Sequence, residues 1–168
     1  MKTVIAAIDF SPVSRRVLAK AVELSRAIRA RLVVVHAVRP PAIVTDLAPL
    51  VGEAVQFTAK IEYAARRNLQ RWKRRLAKCG TTVETICRQG FPMPVVLAQA
   101  QELDASYLVL GSHGHTALYN LVVGSTTREV LKRASCPVVI VPARGKRKIP
   151  ALPSRSPGRK KRNRAVKA

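Results

Sequence analysis

Gly111-Ser112-His113-Gly114 is followed, after nine residues, by Gly124-Ser125-Thr126. An apolar run, Tyr107-Leu108-Val109-Leu110, precedes the pattern, and a helix-like run, Arg128-Glu129-Val130-Leu131, follows it. This is a glycine-punctuated loop joining a strand to a helix. Such a loop lets backbone amides converge on phosphate oxygens at the positive end of a helix. The chemistry it suggests is phosphate or nucleotide binding. Glycines serving only tight turns are the competing reading, and the strand–loop–helix context favours phosphate. Thr126-Thr127-Arg128-Glu129 also fits a capping box, with Thr126 as the cap and Glu129 reciprocating. That box would commit Thr126 to its own helix and leave the Ser125 hydroxyl and nearby amides for a phosphate.

Other residues could share this chemistry. Asp9 ends an apolar run, and a carboxylate at the end of a buried strand is a recurrent ribose-binding device. It could instead bond Ser11 locally and cap the helix that follows. His113 and His115 lie inside the glycine loop. They form an H-x-H pair, yet no third ligand is visible and a metal site needs three or four. The reading is solvent-facing residues that hydrogen-bond phosphate. His36, within an apolar run, reads as a satisfied core histidine, and Trp72 as core packing. There is no G-x-x-x-x-G-K-[ST] loop, no Walker-B-type acid closing the strand before the glycines, and no Ser-His-Asp or Cys-His arrangement. Binding is therefore expected rather than turnover, with no catalytic residue assigned.

The elements that must position these residues alternate. Residues 3–8 form an apolar, strand-like run. Ser11-Pro12 reads as an N-cap with proline in the first helical position, ahead of a stripe of Val17, Ala21, Leu24 and Ile28. Residues 32–38 are a second strand, ended by Arg39-Pro40-Pro41, with a loop running to about residue 50. Residues 51–78 fit a long helix with Val55, Ile61, Ala65, Leu69, Trp72 and Leu76 on one face, closed by Gly80. Strands are expected at 82–89, 106–110 and 137–141, and helices at 92–101 and 126–134. Continuous rather than alternating apolar strands mean a sheet covered on both faces. Strand and helix taking turns means right-handed crossovers and parallel strands. The expected fold is a five-stranded doubly wound parallel α/β sheet with helices on both faces. In such sheets ligands bind at the carboxyl ends of the strands, where strand order reverses. The last strand, Val138, Val139, Ile140 and Val141, should lie at an edge and invite pairing with another chain.

Composition bounds the rest. At 168 residues and 48% hydrophobic content, one globular domain is expected. The opening residues do not read as a secretory signal, and no run approaches the roughly 18 apolar residues of a membrane helix. No membrane partner is expected. Cys79, Cys87 and Cys136 show no metal or disulfide spacing, which fits a reducing cytoplasm. Of the 31 Lys and Arg, eleven fall in residues 144–168, where there is no Asp or Glu. Residues 1–143 are read as the folded domain and 144–168 as a basic, disordered tail. Arg159-Lys160-Lys161-Arg162 in the tail could grip nucleic acid or another polyanion. Arg66, Arg67, Arg71, Lys73, Arg74, Arg75 and Lys78 of the long helix add to that charge. Such binding would be salt-dependent and sequence-independent. A solvated tail and a merely charged helix face are the plain alternative.

Several segments together carry a family resemblance. They are Ala7-Ile8-Asp9-Phe10-Ser11, Val35-His36-Ala37-Val38, Gly90-Phe91-Pro92, Cys136-Pro137-Val138-Val139-Ile140-Val141-Pro142, and the full G-x2-G-x9-G-S/T pattern. Over residues 1–143 the chain resembles the universal stress proteins of the nucleotide-binding type. The resemblance implies the adenine nucleotide α-hydrolase-like fold, ATP as ligand and Mg2+ on its phosphates. It implies that Ala7, Ile8 and Asp9 flank adenine and ribose, with Asp9 able to reach the metal. Ala37 would touch the adenine, where a larger apolar residue, usually valine, is common. Leu110 and Gly111 would line the ribose, and Gly114, Gly124, Ser125 and Thr126 would surround the phosphates. The same resemblance implies a homodimer through the last strand and a stress-linked nucleotide-binding regulator with hydrolysis slow or absent. The expected role is a cytoplasmic stress-response regulator whose ATP state biases partner binding. The alternatives are a slow ATPase and a polyanion-binding protein acting through the tail.

Overall fold

A computed structural model describes residues 1–40, 51–112 and 124–143, with residues 51–54 described by backbone alone. The elements run β1 (Thr3–Ala7), α1 (Ser14–Ala27), β2 (Arg31–Val38), α2 (Val51–Ala77), β3 (Val83–Gln89), α3 (Pro92–Glu102), β4 (Tyr107–Gly111), α4 (Ser125–Arg133) and β5 (Val138–Val141). The five strands form one sheet in the order β3-β2-β1-β4-β5. Every pairing is parallel. Strand order reverses at β1, whose neighbours are β2 and β4. The doubly wound architecture expected from the alternating elements is the one observed.

The sheet separates two apolar layers. Val4 and Ala6 of β1, with Ile8 just past its end, pack with Leu32, Val34 and Val109 against α1 and α2. Ile5, Val33, Val35, Leu108 and Leu110 pack against Val96 and Ala100 of α3 and Val130 of α4. Because both faces are covered, consecutive residues of β2, Leu32 to Val35, are all fully buried. This is why the strands read as unbroken apolar runs.

Three helices differ from the sequence reading, α4 at its start and α1 and α2 as follows. In α1, Ser11 and Pro12 are not the cap and first helical residue. The helix starts at Ser14 after a turn in which the Ser14 amide donates to the Ser11 carbonyl, 3.0 Å. The Asp9 side chain holds both ends of that turn, at the Ser11 amide and the Ser14 hydroxyl. In α2, Val55 and Ile61 are exposed, at 62% and 41%, whereas Thr58 is buried with Ala65, Leu69 and Leu76. At about 100° per residue, Val55 and Ile61 lie roughly 60° to either side of that buried line. A helix lying on a sheet covers only the central line. The end of α2 is as expected: the Gly80 amide bonds the Ala77 carbonyl, 3.2 Å, with Gly80 at φ +72°.

Candidate functional site

Three chain ends converge beside the point where strand order reverses. The first is the end of β1. The Ile8 amide donates to the Val35 carbonyl, 3.0 Å, carrying the β1–β2 ladder one residue past Ala7. Phe10 then takes φ +62°, a conformation a bulky residue rarely adopts, and it swings the chain off the sheet. Asp9 Oδ1 accepts from the Ser11 amide, 3.0 Å, and from Ser14 Oγ, 3.2 Å. The local bonding role is therefore real, and it fixes the carboxylate at the strand's end. His36 Nδ1–H donates to the Ile8 carbonyl, 2.8 Å, and its half-buried ring rests 4.2 Å from the Phe10 ring. His36 is thus satisfied, as expected, and it holds the ends of β2 and β1 together.

The second and third ends are those of β4 and α4. The Gly124 amide donates to the Ser112 carbonyl, 2.7 Å, and Thr127 Oγ1 donates to the Gly111 carbonyl, 2.8 Å. The buried Ser112 ties in the last strand as well. Its amide donates to the Val141 carbonyl, 2.8 Å, and its Oγ accepts from the Ala143 amide, 3.1 Å. The start of α4 is thereby fixed against the carboxyl end of β4. Sequence reasoning did not single out Ser112 or Thr127. The signal for Thr127 was its spacing from Val130, since the two are the buried positions of α4.

The capping box does not form. Gly124 is the N-cap, at φ −64° and ψ 155°, and among the described residues no side chain caps the helix. Thr126 lies inside the first turn, where helical dihedrals keep it from capping. Glu129 points along the helix instead, to Lys132 at 3.2 Å and Arg133 at 3.7 Å. The first intrahelical bond runs from the Arg128 amide to the Gly124 carbonyl, 2.9 Å. The amides of Ser125, Thr126 and Thr127 therefore have no acceptor within their own helix. There is no acid in this first turn, and Lys132 and Arg133 lie in the last one. The turn is set up to receive an anion.

The remaining candidates fall around this point. Ala6 pairs with Val109, so Ala7 and Leu110 lie one step further along adjacent strands. Both pack toward the α3 and α4 layer. Ala7 pairs with Val35, and Ala37 is two residues beyond on β2, hence on the same face. Ala7, Ala37, Leu110 and Gly111 are thus gathered with Gly124, Ser125 and Thr126 at one end of the sheet. Ile8 differs from its neighbours. Its side chain is buried in the α1 and α2 layer, and its backbone amide and carbonyl are bonded to Val35 and His36. His113, Gly114 and His115 lie outside the described residues.

The family model for the universal stress protein family matches residues 1–142. The chain belongs to the universal stress protein family. Universal stress protein YxiE of Bacillus subtilis (strain 168) is 31% identical over 142 residues, covering 82% of this chain and 96% of YxiE. Universal stress protein UspA from Lactobacillus plantarum superposes with a TM-score of 0.76 at 21% identity, covering 83% of this chain and 97% of that one. A universal stress protein solved in complex with cAMP superposes with a TM-score of 0.61 at 25% identity, covering 83% and 96%. The adenine nucleotide α-hydrolase-like fold implied by the sequence resemblance is the fold these neighbours share.

Proposed function

We propose that this universal stress protein binds an adenine nucleotide, ATP with Mg2+, and that its nucleotide state biases a partner interaction. The observation that carries this reading is the uncapped, acid-free first turn of α4, fixed to the end of β4 at the reversal of strand order. The donor set fits the ligand. Backbone amides of residues 125–127 and the exposed Ser125 hydroxyl supply neutral donors for phosphate oxygens. Ala7, Ala37 and Leu110 supply a small apolar surface for the base, and Asp9 supplies a carboxylate for ribose or for Mg2+. ATP would bring the triphosphate that distinguishes one state of the protein from another. A family member 25% identical was solved with cAMP, which supports an adenine nucleotide as the ligand class. The chain holds no lysine in the glycine loop, which favours holding ATP over hydrolysing it. The free Cys79, Cys87 and Cys136 suit a reducing cytoplasm.

Isothermal titration with ATP and Mg2+, alongside a phosphate-release assay, tests the reading. Saturable binding, weakened in Asp9→Ala and Gly124→Ala, is expected, with phosphate release at background. No binding in the parent chain would refute it. Release well above background, abolished in both variants, would make the protein a hydrolase.

A further inference from the structure

Helix α2 buries one line of side chains and presents the opposite line to solvent. Thr58, Ala65, Leu69 and Leu76 are buried, with Trp72 half-buried beside them. At about 100° per residue, Lys60, Arg67, Arg71 and Arg74 fall within about 60° of one another, diametrically opposite that buried line, and Lys78 directly follows the last helical residue, Ala77. All five are exposed. Their contacts are neutral. Arg71 donates to Asn68 Oδ1 and Arg74 Nε to the Gln70 carbonyl, both at 3.4 Å. The Arg67 guanidinium lies 5.8 Å over the Tyr63 ring. Glu62, on the flank of the helix, is taken up by Gln89 and Arg66. Those bonds, Gln89 first and then Arg66, hold the Glu62 carboxyl below its ordinary range. Among the described residues, none of the five cations pairs with a carboxylate.

We propose that this face of α2 binds the backbone of double-stranded DNA without reading its sequence. A rigid line of five cations about 27 Å long approaches the roughly 34 Å of one duplex turn. The formal charge of +22 draws a polyanion toward it. A membrane surface is the poorer match, because a helix lying on lipid needs its apolar face free. Leu69, Trp72 and Leu76 of that face are spent on the sheet, and Val55, Phe57 and Ile61 on its flanks stay exposed. A single strand is also poorer, because among the described residues the exposed aromatics beside the line are Phe57 and Tyr63, both toward one end of it, and Arg67 covers Tyr63. The face lies on the solvent side of a helix that covers β2 and β3, away from the start of α4.

Fluorescence anisotropy of a labelled duplex of about 20 base pairs, titrated with the full chain at several salt concentrations, tests this. Five phosphate contacts contribute about −4.5 to the slope of log K against log salt. The variant Arg67→Gln/Arg71→Gln/Arg74→Gln is expected to make that slope shallower by about 2.7 and to weaken binding at least tenfold at low salt. Glutamine keeps the helix propensity. If the triple variant does not fold, Arg71→Glu alone is read in the same way. A companion with Arg159, Lys160, Lys161 and Arg162 changed to Gln should keep the contribution of α2. Parental slope and affinity in the α2 variant would overturn the proposal, as would complete loss of binding in the tail companion. An α2 variant weakened toward phosphatidylserine vesicles but not toward DNA would overturn it too.

Discussion

At the residue scale, Gly124 sets what the start of α4 is available for. Its extended backbone, at φ −64° and ψ 155°, is the conformation in which Ser, Asp or Asn caps a helix. Having no side chain, it leaves the amides of residues 125–127 to an outside anion. Gly124→Asp should therefore separate stability from binding. The new carboxylate accepts the first-turn amides, so thermal unfolding should show a domain as stable as the parent or more so by a few tenths of a kcal/mol, about the Gly-to-Asp difference at a cap. The same carboxylate takes the place of phosphate and repels it, so ATP affinity should fall at least tenfold by titration calorimetry. A variant that binds ATP like the parent would show that phosphate is not received at this helix start. Thr127 is read differently, because its hydroxyl bonds the Gly111 carbonyl at 2.8 Å. Thr127→Val keeps the shape and leaves that carbonyl unsatisfied, at a cost of about 1–3 kcal/mol. Urea denaturation measures the loss.

At the element scale, α2 shows how a helix divides between sheet and solvent. Leu69 is 2% exposed and Val55 is 62% exposed, although both fit one apolar face in the sequence. Leu69→Ala should cost about 2–5 kcal/mol through lost burial and the cavity left behind. Val55→Ala should stay within about 0.5 kcal/mol of the parent. Equal losses at the two positions in chemical denaturation would contradict the observed orientation of α2. This contrast explains what the sequence could disclose. Leu32 to Val35 and Tyr107 to Leu110 were legible because a strand covered on both faces must be apolar at every position. The positions of Asp9 and Gly111 at strand ends were legible for the same reason, since they sit where the apolar runs of residues 3–8 and 107–110 stop. The facing of Val55 and Ile61 was not legible, because helical periodicity gives a wide stripe and the sheet chooses its centre. The start of α4 was misread because a local rule gives way there to longer-range bonds. A capping box wants Thr126 outside the helix, whereas the Gly124–Ser112 and Thr127–Gly111 bonds hold it inside. Those bonds join residues 12 and 16 positions apart, and no local motif reports them.

At the scale of the whole molecule, the two sheet edges are unlike. The β3 edge carries Glu84, Arg88 and Gln89, with Glu84 bonded to Arg31 and Gln89 to Glu62. Charged and polar side chains of this kind discourage edge-to-edge pairing. The β5 edge, Val138, Val139, Ile140 and Val141, carries none, and its first three residues are only half-buried. A homodimer should therefore form through β5. Opposing it is the +22 formal charge that each copy brings. That repulsion acts between exposed surface charges and weakens as the screening length falls from about 10 Å at 0.1 M salt to about 3 Å at 1 M. Apolar pairing at β5 does not weaken with salt in the same way. Added salt should thus promote the dimer while it dissociates any bound DNA, so the two associations carry opposite signs. Light scattering across a size-exclusion run checks this. At a fixed dilute concentration, the fraction at twice the 18.4 kDa chain mass should rise between 0.05 and about 0.5 M salt. A monomer mass throughout, or a dimer lost as salt rises, would show that β5 does not join two copies of this chain.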